Sequence, residues 1–304
     1  MKVMRPLFAD PRTDFVFKKI FGTEEHKPLL VALLNGLLEL DEEHQVVEVE
    51  LLSAEQRPKV RELKYSIVDV KCTDARGTHY VVEMQVLNVE GFEKHVVCNV
   101  AKAYTGQLDV GQTYPDLNDV IGVTICDFEL WPQQEVPGVP MLSRWRMQEQ
   151  HGGARGLGQL QFVFLELPKY DASRPPRTVV EKWAYFFRET SHLQVVPEVL
   201  AEQPYKDALD AARVARFTDE EWDAYIRAGM AIQDERGALS LARKEGLQEG
   251  MRAMRAVLSE MLRQRGLVPG PEEQARLEGC KDLDTLQRWL VQALTATSVT
   301  EALR

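Results

Sequence analysis

Asp69 and Glu83 stand in the stretch KYSIVDVKCTDARGTHYVVEMQV, residues 64–86, on either side of a turn sequence. Runs rich in β-branched residues flank Asp74-Ala75-Arg76-Gly77, which predicts two strands, Lys64 to Cys72 and Thr78 to Leu87, joined tightly. A three-residue hairpin loop commonly ends on a left-handed residue, usually Gly. With Ala75-Arg76-Gly77 as that loop, Asp74 pairs with Thr78, Lys71 with Val81, Asp69 with Glu83 and Ile67 with Gln85. Side chains alternate faces along a strand, so Asp69, Glu83 and Gln85 share one face and Val68, Val70, Val82 and Met84 the other. Two carboxylates opposite each other repel. A divalent cation relieves that repulsion, and hard oxygen ligands suit Mg²⁺ or Mn²⁺ better than Zn²⁺. Such a cation polarises a phosphoryl oxygen and lowers the pKa of a bound water. The alternative is an ordinary acidic pair on the wet face of a sheet, and a slip of one residue in register would separate the two.

The elements that must hold this hairpin are legible on both sides of it. Residues 13–40 predict helix: Phe15, Phe17, Ile20 and Phe21 cluster around Lys18 and Lys19. Thr23 before Glu24 and Glu25 marks a helix start, and Leu30, Leu33, Leu34, Leu37 and Leu38 recur at helical spacing. Val46 to Leu52 reads as a strand, Phe92 to Val110 as a helix closed by Gly111, and Val120 to Phe128 and Gln161 to Leu167 as buried strands. The segment between those last two carries Pro137, Gly138, Pro140, Gly152, Gly153, Gly156 and Gly158. No Gly-Lys-Ser/Thr ends it, so it predicts a flexible loop rather than a phosphate cradle or a nucleotide-cofactor site. From Pro176 the chain reads as helical. Thr218 with Glu221 forms a capping box ahead of Trp222, Tyr225 and Ile226. A long charged helix covers 235–265, with Met251, Met254, Leu258 and Met261 at the spacing of a coiled-coil seam. Leu283, Leu286, Trp289, Leu290, Ala293 and Leu294 mark a last amphipathic unit.

Composition bounds the possibilities. A chain of 304 residues, 44% hydrophobic and 28% charged, can bury a sizeable core. No window has the apolar run of a membrane span, and Met1 to Pro11 lacks the apolar core of a secretory signal. Cys72, Cys98, Cys126 and Cys280 form no CxxC and the histidines no HExxH, which argues against structural zinc and for a reduced, cytoplasmic setting. The net charge is −10, and residues 1–130 carry 14 Lys and Arg against 22 Asp and Glu. Bulk charge therefore does not draw nucleic acid to this chain. Any such contact needs a local basic face or a bound cation.

The order of motifs resembles the Rpn-type recombination-promoting nucleases, described as PD-(D/E)XK nuclease family transposases. The resemblance runs through DFVFKKIFG (Asp14 to Gly22), LLNGLL (Leu33 to Leu38) and LKYSIVDVKCTDARGTHYVVEMQV. It continues through YTGQLDVGQTYPDLNDVIGVTICDF (Tyr104 to Phe128) and ARKEGLQEGM (Ala242 to Met251). It implies an α/β, restriction-endonuclease-like core, a mixed sheet flanked by helices, with an α-helical C-terminal extension. The expected division is a nuclease-like domain over 10–170, a helical extension over 171–265 and a small helical module over 272–304. The resemblance also implies Mg²⁺- or Mn²⁺-dependent cleavage of DNA. Asp69 matches the motif aspartate, Glu83 the second acid, and Asp14 the acid near the first helix. Gln85 stands where the wider superfamily usually has Lys. Lys71 or Lys64 then supplies the missing charge, with Lys64 better placed by the resemblance. Where family members often carry Arg and an aromatic, this chain reads KHVVCN, with His95 and Asn99; His95 is a candidate proton shuttle.

Lys18 and Lys19 are candidate contacts to the DNA backbone. Tyr104 and Gln107, on one helix face, are candidate contacts to a substrate strand. The C-terminal helices suggest a homo-oligomer. The residues leave three functions open: a metal-dependent DNA endonuclease, a catalytically inactive scaffold on a nuclease fold, and a transposase performing strand transfer.

Overall fold

In the computed structural model, which describes residues 5–56, 66–108, 113–153 and 156–304, the first helices form where apolar residues repeat. α1, Asp14–Phe21, buries Val16, Phe17, Ile20 and Phe21. A short 3₁₀ turn, Glu24–His26, follows Thr23 and leads into α2, Lys27–Leu38. Pro28 sits in the first turn of α2, where its missing N–H costs nothing.

The strands are β1 Val49–Leu52, β2 Glu55–Gln56, β3 Ser66–Ile67, β4 Val70–Asp74, β5 His79–Gln85, β6 Val120–Cys126, β7 Leu142–Gln148 and β8 Gly156–Glu166. Six of them make one mixed sheet in the order β1-β4-β5-β6-β8-β7, and β2 and β3 pair separately. The β5–β6 and β6–β8 pairs are parallel and the others antiparallel. Parallel neighbours need a crossover. α3, Phe92–Thr105, supplies it between β5 and β6.

Alternation along the strands divides the apolar residues between two faces. Tyr80, Val82, Met84, Val123, Ile125, Val163 and Leu165 join the main core with α1, α2, α4 (Val179–Glu189) and α5 (Tyr205–Ala211). Its centre is aromatic: Phe17, Phe21, Trp183, Phe186 and Phe187 meet at ring-centroid distances of 5.1–6.3 Å. Val81, Val100, Ala103 and Val120 form the smaller cluster under α3.

The β4–β5 hairpin takes the expected register over Val70–Val82, Lys71–Val81, Cys72–Tyr80 and Thr73–His79. Gly77 adopts φ +86°, the left-handed conformation that closes the loop. The expected strand from 64 to 72 is not continuous, however. It breaks at Val68 and Asp69. Ile67 pairs with Glu55 rather than facing Gln85. Val68 donates its N–H to the Ala54 carbonyl and buries with Val81 and Val100, on the face opposite to the one expected.

The segment before β8 also departs from expectation, because it contains an edge strand, β7. Wholly buried Glu166 pins the approach to β7 by accepting N–H bonds from Leu130 (2.7 Å) and Trp131 (3.1 Å) and pairing with Lys169 at 2.8 Å. Gly156 and Gly158 lie inside β8 rather than in a loop.

Contacts divide the chain into Met1–Ile232 and Gln233–Arg304. α4 and α5, which the sequence assigned to the helical extension, pack into the same core as α1 and α2. α6 runs from Asp219 to Gln264, and Thr218 caps it as expected through mutual bonds with Glu221. In the second unit Met251, Leu258 and Leu262 are buried with Leu277 of α7 (Pro271–Gly279), with Leu286, Trp289 and Ala293 of α8 (Leu283–Ala293), and with Val299 and Ala302 of α9 (Val299–Ala302). The predicted Met/Leu seam is thus covered by helices of its own chain.

Candidate active site

Glu83 lies on β5 between two core residues, Val82 and Met84, so alternation turns it away from the main core. α3 crosses that face. Its Asn99, 1% exposed, donates from Nδ2 to Glu83 Oε1 at 2.8 Å. The same nitrogen lies 3.1 Å from His95 Nε2, one turn earlier on the helix. Asn99 Oδ1 is buried without a partner.

Asp69 occupies the bend ahead of β4. Its Oδ2 accepts the Met84 N–H at 2.8 Å, which ties it to the strand that carries Glu83. The bend also brings it to α1: Lys18 Nζ is 3.4 Å from Asp69 Oδ1 and 2.5 Å from Asp14 Oδ1. Asp14 and Lys18 are four residues apart, on one face of α1.

The two carboxyls are costly to ionise. Burial pushes Asp69 up to about 6; the Met84 N–H and Lys18 oppose this, while Asp14 adds to it. Burial, and then the charge of Asp69, push Glu83 up to about 7, against the bond from Asn99. For Lys18, burial acts to lower the ammonium, but the Asp14 bond and the Asp69 charge outweigh it and raise it.

Among the described residues no three His, Cys, Asp or Glu converge to hold a metal ion. The donor set still fits a hard divalent cation: two half-buried carboxylates repel each other, and the amide that bonds Glu83 keeps its own oxygen unpartnered. Mg²⁺ ordinarily uses one or two protein carboxylates and completes its shell with water and phosphate oxygens.

The other sequence candidates divide. Gln85 donates its amide to the Leu87 carbonyl at 2.9 Å. Lys64 lies outside the described residues. Lys71 is lowered by burial, with no carboxylate among the described residues acting on it. Lys19 turns to Glu221 at 2.5 Å and lies over the Phe217 ring. Tyr104 packs on the cluster under α3. Gln107 bonds both the carbonyl and the N–H of Asn118, at 3.0 and 2.9 Å, and so fastens the end of α3 to the approach to β6.

A cavity of about 650 Å³ opens beside Asp14 and Lys18, lined also by Lys19, His26, Glu221 and Arg227. Sequence reasoning underrated two residues. Lys18 read as a backbone contact, although its spacing from Asp14 signalled an ion pair. Asn99 read as a departure, although its spacing from His95 put both on the face of α3 that meets Glu83.

A family model, PD-(D/E)XK nuclease family transposase, matches residues 11–242, a span that holds Asp14, Lys18, Asp69, Glu83, Gln85 and Asn99. No curated protein and no solved structure matches the chain.

Proposed function

The chain belongs to the PD-(D/E)XK nuclease family transposases, and on that premise we propose that it is a Mg²⁺- or Mn²⁺-dependent DNA endonuclease serving recombination or a mobile element. The observation that carries this reading is the pair Asp69 and Glu83, half-buried with raised pKa values and held by partners from different elements. Leaving two such carboxylates without a cation opposes folding. A site shaped for a divalent ion explains why they are there.

Asp69 and Glu83 would hold the metal, which when bound supplies an activated water and cover for charge on the phosphate. The Met84 N–H and Asn99 Nδ2 orient the two carboxylates. Asp14 holds Lys18 at the edge of the open cavity, where the substrate backbone enters. This reading places the protein with its DNA in the cytoplasm. No described helix is long and apolar enough to cross a membrane. Strand transfer, the transposase reading, would use the same carboxylates.

The test is plasmid cleavage by wild type and Asp69→Ala with Mg²⁺, with Mn²⁺ and with EDTA. Wild type cuts only with metal, and the variant loses about 10²-fold or more in rate. The neutral Gln85 favours a second reading, an inactive scaffold on a nuclease fold. A folded wild type that neither cuts DNA nor binds Mn²⁺ would establish that one instead.

A further inference from the structure

We infer that Lys18, delivered from α1, is the catalytic cation of this site, taking the place that Gln85 leaves uncharged. The inference rests on the endonuclease reading and deepens it. Gln85 carries no charge, and its amide is engaged by the Leu87 carbonyl. The site nonetheless needs a positive group facing the phosphate, because negative charge accumulates on the phosphoryl oxygens during hydrolysis.

Among the described residues Lys18 is the cation that reaches either carboxylate, with Nζ 3.4 Å from Asp69 Oδ1. The other lysines nearby are differently engaged. Lys19 pairs with Glu221. Lys102 bonds the Ser66 hydroxyl at 3.0 Å. Lys71 is lowered by burial, and no described carboxylate acts on it.

The position of Lys18 suits a catalytic group. Its helix is anchored, because Phe17, Ile20 and Phe21 are fully buried around it. Its side chain is 36% exposed and lines the open cavity. One end of its reach is therefore the carboxylate that would hold the metal, and the other is the space from which a phosphate enters. Asp14, one turn earlier, fixes the ammonium between them. Asp69 would hold the metal, and Lys18, no longer needed as its counter-charge, would face a phosphoryl oxygen. Asp14 is then its positioning residue.

The experiment compares wild type, Lys18→Met and the double variant Lys18→Met/Gln85→Lys. It uses plasmid cleavage under Mg²⁺ and Mn²⁺ titration by calorimetry, with Asp69→Ala as the inactive reference. Lys18→Met is expected to lower kcat by about 10²-fold with KM for DNA nearly unchanged, the loss typical of one stabilising group. Gln85→Lys is expected to recover at least about tenfold of that loss, because it returns a cation to the site from β5. Mn²⁺ is expected to bind Lys18→Met several-fold more tightly, since the metal no longer competes with an ammonium for Asp69. A wild-type kcat in Lys18→Met, a change confined to KM, or a loss that Gln85→Lys does not recover would each overturn the assignment while leaving the endonuclease intact. A wild type that does not cut overturns the endonuclease reading, and the role of Lys18 with it.

Discussion

The acidic pair dominates at the scale of single residues. Asp69 and Glu83 sit near 6 and 7 in the fold, whereas carboxyls in an unfolded chain titrate near 4. Between about pH 4 and 7 the folded protein therefore keeps protons that the unfolded chain has released, and stability falls as pH rises through that window. The contribution is whole below about pH 4 and gone above about 7. His79 acts with the opposite sign: burial lowers it, so its contribution grows as pH rises. Asp69→Asn and Glu83→Gln isolate the pair from that background. In EDTA at pH 8 each variant should melt above wild type, by an amount that shrinks toward pH 5. Mn²⁺ should raise the melting temperature of wild type and leave the variants almost unmoved. Thermal melts across pH, with and without Mn²⁺, check both statements. A wild type no less stable than its variants at pH 8 would mean that the two carboxyls ionise without cost.

Elements decide whether those residues meet. α3 brings Asn99 to Glu83 by lying close to β6, and Gly122 permits the approach: a Cβ there would stand 2.6 Å from Val100 Cγ2. Gly122→Val should destabilise the fold by about 1–3 kcal/mol through overpacking. It should also lift α3 from the sheet, which loosens the Asn99–Glu83 bond and, on the proposed reading, lowers cleavage with Asp69 and Glu83 themselves unchanged. Denaturant melts and cleavage rates measure the two effects separately. The hairpin was legible in the sequence because Gly77 and the turn before it admit one register. The break at Val68 and Asp69 was not legible. YSIVDV alternates smoothly, and only the separate pairing of Ile67 with Glu55 turns Asp69 toward α1. β7 escaped for a related reason. From Arg144 to Gln148 every residue is exposed, so no apolar alternation marks the strand, and its partner β8 is supplied from farther along the chain.

At the scale of the whole molecule, chemistry and bulk separate. Every candidate site residue that the structure describes falls in the unit ending at Ile232, while Gln233–Arg304 buries its own apolar cluster around Leu258, Leu262 and Trp289. The helical character of that second unit was legible from its periodicity. The fate of the Met/Leu seam was not, because the same spacing serves a seam between two chains and one closed by helices of a single chain. Leu258 and Leu262 are fully buried within one chain, among the residues of α7, α8 and α9. Trp289 is 3% exposed, and its removal leaves a cavity among Leu286, Leu277 and Met251. Trp289→Ala should cost about 3–5 kcal/mol in that unit. Hydrogen exchange should accelerate over residues 251–303 and stay as in wild type over 14–99, with metal-dependent plasmid cleavage retained. Cleavage lost together with that local protection would make the C-terminal helices a working part of the nuclease.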